Sequence, residues 1–440
     1  MKKWLILMWC LLPFSAAAEL LHLDYFELDN GLQVAVAQNH KAPVVLQMLY
    51  YKTGSVNEPH GKGGIAHLLE HLMFRGTKSV PDTVFNRLMD EYGADNNAYT
   101  TYDETGYYEF SDISKLELMM ALEADRMVDL DISEKAFLKE RDIVLEERMQ
   151  RFESNPVPLF YETMNKLMWQ EHPMANPVSG SVAEIQALTL DDARAFYQKW
   201  YRPDNALLVL AGDVTADEAR VLAEKYYGHI RANVQTLPKL EIVQPKDADI
   251  SVVMKRKGIE QPRFVTYMRL EPNMLSHQDQ AALGVLLEYL AGDDTSYLYE
   301  KLVYQDKKLL SADMGLSYDN KLGGTLAFYT IPADVNLSLD DIKNMVEAAI
   351  QEGLDKLTAE KVEKIKHQEL SDTVYLQDNP ESTARFIGGM LMSGYTVDEI
   401  MNYDKLLMKV TIDDIQNAWQ KVLQSKVRVS GMLVRDDKGE

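Results

Sequence analysis

The sequence predicts an α+β chain made of two related units, and three observations carry that prediction. The segment Thr189-Leu-Asp-Asp-Ala-Arg-Ala-Phe-Tyr-Gln-Lys199 recurs as Thr411-Ile-Asp-Asp-Ile-Gln-Asn-Ala-Trp-Gln-Lys421, an ungapped offset of 222 residues. Each copy reads as a Thr-capped helix followed by an apolar strand, Ala206 to Leu210 in the first and Val427 to Leu433 in the second. At a similar offset of 218, His67-Leu-Leu-Glu70-His71-Leu72 falls over Val285-Leu-Leu-Glu288-Tyr289-Leu290, so the second copy lacks both histidines. The 440 residues suit two domains of about 200 residues each.

From the N-terminus, the basic pair Lys2-Lys3, the apolar run Trp4 to Phe14 and the small residues Ala16-Ala17-Ala18 read as a secretory signal peptide over residues 1–18. That run is shorter than the roughly 20 residues a bilayer span needs, and no later stretch is long and apolar enough. The expected location is therefore across the inner membrane, in the periplasm. Cys10, the single cysteine, lies inside the signal, so the mature chain would have no thiol for catalysis, disulfides or metal binding. The formal charge of −22 becomes −24 once Lys2 and Lys3 are removed. A surface this acidic repels phosphate backbones and anionic headgroups, which argues against nucleic acid and membrane surfaces as partners. No Gly-x-Ser-x-Gly elbow for a serine nucleophile occurs either.

Residues 19–231 make the first predicted domain. On a helix, positions three and four apart share a face, so His67, Glu70 and His71 project together while Leu68, Leu69 and Leu72 turn to the core. Two imidazoles on adjacent turns can bind one metal ion, and Gly63-Gly64 just before them would let backbone approach closely. A third donor must come from elsewhere. In the helix expected from Glu134 to Phe152, Glu140 and Glu147 lie two turns apart and share a face to within about 20°. Glu146 points about 100° away from Glu147. Spacing alone leaves Glu147 open as the third donor, because Asp142 and Glu146 share the helix and charge runs are usually solvated faces. Pro238 and Pro245 among charged residues mark a linker over 232–248, and 249–440 forms the second domain, without a metal site.

Taken in order, Gly63-Gly-Ile-Ala-His67-Leu-Leu-Glu70-His71-Leu-Met-Phe-Arg-Gly-Thr77, Asn97-Ala-Tyr-Thr100 and Glu140-Arg-Asp-Ile-Val-Leu-Glu-Glu147 resemble the pitrilysin/insulinase family of zinc metallopeptidases, in its mitochondrial-processing-peptidase-like branch. Tyr201-Arg-Pro-Asp-Asn-Ala206, Gly212-Asp213 and Ser296-Tyr-Leu-Tyr299 extend the likeness over the whole mature chain. The resemblance implies two homologous domains, each a mostly antiparallel sheet with helices packed on it. It implies one zinc ion per chain on His67, His71 and Glu147, with Glu70 as general base and Glu140 as a second acidic residue supporting the catalytic site. Peptide would be held as an added strand along Asn97 and Ala98, in keeping with our reading of Asn96 to Phe110 as a hairpin with an exposed edge.

The implied activity is endopeptidase cleavage of peptides or unfolded polypeptide. Family members with a complete site carry an arginine and a tyrosine seven residues apart in the non-metal half; here Ala327 and Asp334 occupy those positions. The expectation that follows is a homologous partner subunit supplying both groups, with a heterodimer favoured over a homodimer. The alternative is a non-catalytic binding or assembly subunit of the same fold. The substrate, the partner and the native metal are not legible, since two nitrogens and one oxygen also suit cobalt or manganese.

Overall fold

The computed structural model describes residues 22–82, 84–231, 236–238 and 243–436. The segment expected to be a signal peptide, 1–18, lies outside these residues, as do 232–235 and 239–242 of the expected linker. Among the described residues, eleven strands form two sheets. The first runs in the order β1 (Leu23–Glu27), β2 (Gln33–Gln38), β6 (Ala206–Gly212), β3 (Val44–Tyr51), β5 (Thr105–Asp112), β4 (Asp95–Thr100). The second runs β7 (Ala248–Arg256), β11 (Val427–Arg435), β8 (Arg263–Leu270), β10 (Gly323–Thr330), β9 (Asp313–Asp319). Within each, one pair is parallel, β2–β6 and β7–β11, and the other neighbours are antiparallel.

Apart from β1, the wiring of the two sheets is the same strand for strand, which is the α+β duplication expected from the repeat. The repeated segments fold alike. Thr189 and Thr411 cap the helices Leu190–Trp200 and Ile412–Leu423 through capping boxes closed by Asp192 and Asp414. Those helices lead into β6 and β11, each two residues longer than expected. The helix Ile65–Leu72, which bears His67 and His71, and its counterpart His277–Ala291, which has Val285 and Tyr289 at those positions, both lie in the connection that leaves the sheet's middle antiparallel strand, β3 or β8, for its edge strand. Strand β6 is buried along its whole length, as its unbroken apolar run Ala-Leu-Leu-Val-Leu-Ala-Gly requires of a central strand.

The packing crosses the boundary expected between the two halves of the sequence. The helix Pro156–Trp169 belongs to the first half in sequence but lays Phe160, Met164, Met168 and Trp169 against Val265, Tyr267, Val427, Val429 and Leu433 of the second sheet. In return, the helix Pro380–Met392 places Ala384, Ile387 and Met392 on Ala35, Leu46, Met48, Tyr50, Leu207 and Val209 of the first. Both contacts are seated at glycines: a Cβ on Gly388 would lie 2.2 Å from the Tyr50 hydroxyl, and one on Gly431 would lie 2.3 Å from Met164 Sδ. Each fully buried large side chain in these layers is worth about 1.5–3 kcal/mol. The exchange therefore ties the two halves together.

The β4–β5 turn meets this seam. Tyr99 donates a hydrogen bond of 2.8 Å to Glu104, and the Arg385 guanidinium of the exchanged helix lies 5.4 Å from the centre of the Tyr99 ring. Burial, helped by the charges of Asp103 and Asp319, pushes the Glu104 carboxyl up to about 7 against the opposing effects of Tyr99 and Arg385. A carboxyl raised on folding contributes stability that is whole below its unfolded pKa and is lost as pH climbs through the folded one. Glu104→Gln should therefore match the parent near pH 4.5 and exceed it at pH 8 by on the order of 2–3 kcal/mol in urea unfolding. A constant difference at both pH values would contradict this. No helix among the described residues is long and apolar enough to cross a membrane.

Candidate metal centre

The helix Ile65–Leu72 buries Ile65, Ala66, Leu68, Leu69 and Leu72 in the first core and leaves His67, Glu70 and His71 on the opposite face. Its N-cap, Gly64, sits at φ 87° and has no side chain to satisfy the first-turn amides. Glu58 does so from upstream, accepting from the N–H of Gly64 at 3.1 Å and of Ala66 at 3.0 Å. Burial pushes the Glu58 carboxyl up to about 8, although those amides pull it back. The close approach expected at Gly63-Gly64 is present: a Cβ on Gly64 would lie 2.6 Å from the carbonyl oxygen of Ser179.

The third candidate donor arrives on the helix Glu134–Arg148, begun by Ser133 as N-cap and continued by a π turn over Met149–Glu153. Glu147 Oε2 lies 3.9 Å from His67 Nε2 and 3.6 Å from His71 Nε2. The three residues offer donor atoms within 4.8 Å of one another. Two ligands about 2.1 Å from one tetrahedral ion would stand about 3.4 Å apart, so a small divalent cation fits with slight adjustment. Asp142 and Glu146, the competing carboxylates, are exposed to solvent. Glu140 is buried one turn pair earlier, 3.7 Å from His71 Nδ1 and paired with Arg75 at 2.8 Å. It faces the back of the His71 ring and does not line the cavity.

The electrostatics push the two imidazoles in opposite directions. Burial, with the neighbouring charges of His71 and Arg151, pushes His67 down to about 3, so its imidazole is neutral. Burial also works against a proton on His71, but Glu140, Glu70 and Glu147 around it outweigh burial and raise it. Burial lowers the acidity of Glu70, reinforced by Glu147 and moderated by Thr100 and His71, and its carboxyl lies above the usual range. Thr100, on β4, donates to Glu70 Oε2 at 2.5 Å.

These groups line a cavity of about 900 Å³. On one side are the metal-ligand candidates, Glu70 and the edge strand β4 with Asn97, Ala98 and Thr100; on the other are Tyr161 and Asn165 of the exchanged helix and Tyr267 of β8. Among the described residues, strand β4 pairs only with β5, so its outer edge is open. The Ala98 N–H is met by the side-chain oxygen of its own neighbour Asn97 at 2.8 Å, which marks it as pointing outward. Ala327 is buried in mid-strand between Tyr267 and Gly315, and Asp334 is engaged with Asn336; neither reaches the cavity.

Comparison with known proteins bears on what this arrangement is. The family profile described as Insulinase (Peptidase family M16) matches residues 33–182, and that of the Peptidase M16 inactive domain matches residues 187–369. The chain belongs to the pitrilysin/insulinase family. A relative named zinc protease PqqE from Helicobacter pylori is 29% identical over 398 residues, covering 88% of this chain and 87% of the relative. Among solved structures, a protease from Helicobacter pylori superposes with a TM-score of 0.86 at 24% identity, over 94% of this chain and 99% of the other. The periplasmic protease PqqL from Escherichia coli superposes at 0.78 and 20% identity, over 94% of this chain but only 48% of the longer PqqL chain.

Within this insulinase-family chain, His67, Glu70, His71, Glu140 and Glu147, expected from the sequence to form the site, gather at one place, with Asn97 and Ala98 on the open edge beside them. Several residues of the site were not singled out in the sequence. Thr100 and Arg75 stood inside the quoted motifs without a role. Arg151 was detectable as the i+4 neighbour of Glu147. Tyr267 had no local signal at all, because it reaches the cavity from the second sheet.

Proposed function

We propose that this chain is a zinc-dependent endopeptidase acting on peptides or unfolded polypeptide, delivered to the periplasm. The observation that carries the reading is the convergence of two histidine Nε2 atoms and one Glu147 oxygen beside a carboxylate, Glu70, that is no part of the donor set. The donor set fits zinc, which when bound would act as a Lewis acid, lowering the pKa of a water molecule and polarising a carbonyl. His67, His71 and Glu147 would hold it. Glu140 keeps the His71 ring turned so that Nε2 faces the cavity, and Arg75 in turn fixes Glu140.

Glu70 is the general base. Its Oε2 is anchored by Thr100, leaving Oε1 to take a proton from the attacking water. As the new C–O bond forms and the peptide C–N bond breaks, the same oxygen returns that proton to the departing amine. Substrate adds as a strand to the open edge of β4, displacing the Asn97 side-chain oxygen from the Ala98 N–H so that this main-chain donor pairs with it. Such binding takes unfolded segments, since a folded chain has no free strand to give.

A partner subunit is part of the reading. The chain matches about half of PqqL, and its own second half places neither an arginine nor a tyrosine at Ala327 and Asp334. A homologous subunit covering the cavity would supply those groups, and a heterodimer is favoured because a second copy of this chain lacks the same pair. The test is to purify the chain from its native source with whatever accompanies it, then measure mass, zinc and cleavage of an unfolded polypeptide with and without the companion. One zinc per chain, with cleavage that rises at least tenfold when the companion is restored, is the expected result. Full cleavage by the isolated monomer would remove the partner from the reading, and a protein that neither binds zinc nor cleaves would remove the enzyme.

A further inference from the structure

Arg151 is a cation in a place where the mechanism above does not use one. It stands on the π turn Met149–Glu153, in which the Ser154 N–H reaches back five residues to Met149. Its guanidinium Nη1 lies 2.6 Å from Glu147 Oε1, while the other oxygen of that carboxylate, Oε2, faces both imidazoles. Among the described residues lining the cavity, Arg151 is the only lysine or arginine. The neighbouring arginine, Arg148, is turned away from Glu147 and committed to Glu153 and Glu162. The Arg151 side chain is 71% exposed, and an ion pair that open contributes little to stability.

A carboxylate beside a divalent ion can bind through one oxygen or both, and the choice alters the space left for substrate and water. With Oε1 engaged by a guanidinium, only Oε2 is free to coordinate. We propose that Arg151 is a positioning residue that holds Glu147 as a single-oxygen ligand, an inference that rests on the ligand set proposed above. Arginine suits the task because its planar fork fixes the orientation of a carboxylate, where lysine would supply a point charge.

The experiment is zinc affinity, measured by competition with a chromogenic chelator on the full chain and on Arg151→Ala, Arg151→Lys, Glu147→Gln and the double variant R151A/E147Q, with the melting of each metal-free protein as a control of folding. Arg151→Ala should raise the zinc dissociation constant about 10–100-fold with unchanged metal-free melting. Arg151→Lys should recover part of that loss. In the Glu147→Gln background, removing Arg151 should cost nothing further, because the arginine acts through that carboxylate. Parent-like affinity in Arg151→Ala, or losses from the two single variants that add in full, would overturn the inference while leaving the ligand set standing. Parent-like affinity in Glu147→Gln would overturn the ligand set and the inference together.

Discussion

Glu70→Gln is expected to retain one zinc per chain and to lower kcat by about 10²–10⁴-fold, the usual worth of a positioned general base. The amide keeps the shape of the carboxylate and can still accept the Thr100 hydroxyl, so the helix Ile65–Leu72 and both histidines stay in place. What it lacks is a basic oxygen. KM should change little, because the contacts proposed between substrate and β4 do not involve Glu70. Zinc by elemental analysis and steady-state cleavage of a quenched peptide, measured on the same preparation, test this directly. Loss of zinc along with turnover would make Glu70 a ligand rather than a base. Unchanged turnover would point to the alternative of a binding subunit.

His71→Ala should have the largest effect on metal. It deletes one of the three proposed donors, and the loss of zinc affinity should exceed the approximately 100-fold ceiling typical of residues that only orient a ligand. It also strips Glu140 of its histidine partner. Glu140 is buried, and its carboxyl is held below the usual range because His71 and Arg75 together outweigh the burial that opposes its charge. With His71 gone, Arg75 alone compensates that charge, so the variant should melt at lower temperature even without metal. Glu147→Gln, whose carboxylate is less buried, should lose zinc with a smaller loss of metal-free stability. Calorimetric melting of the metal-free variants, alongside chelator competition, separates the two effects; equal melting would show that Glu140 needs only Arg75.

Much of the site was legible because its geometry is local. His67, Glu70 and His71 share a face through the helical period, and Leu68, Leu69 and Leu72 opposite them fix which face that is. The seven-residue step from Glu140 to Glu147 set both carboxylates in line on another helix. Spacing did not say which of Glu147, Asp142 and Glu146 turns to the histidines, because that depends on how the helix Glu134–Arg148 rolls against Ile65–Leu72. The family resemblance named Glu147, and the packing places its oxygen next to both imidazoles.

The repeat and its linker predicted two units of the same construction, and the matched strand orders agree. They gave no hint of the exchange, in which Pro156–Trp169 covers the second sheet and Pro380–Met392 the first. A sequence pattern records that a helix has an apolar face, not which sheet will cover it.

The sequence by itself therefore determined the helix faces, the caps at Thr189 and Thr411, the strand runs and the duplicated plan, since these follow from interactions among residues a few positions apart. Only the tertiary structure decided which carboxylate meets the histidines, that Thr100 anchors Glu70, and that Tyr267 of the second half walls the cavity. Those depend on contacts between segments 30 to more than 100 residues apart in the chain, and such contacts are selected by how whole faces pack, a choice that no local period encodes.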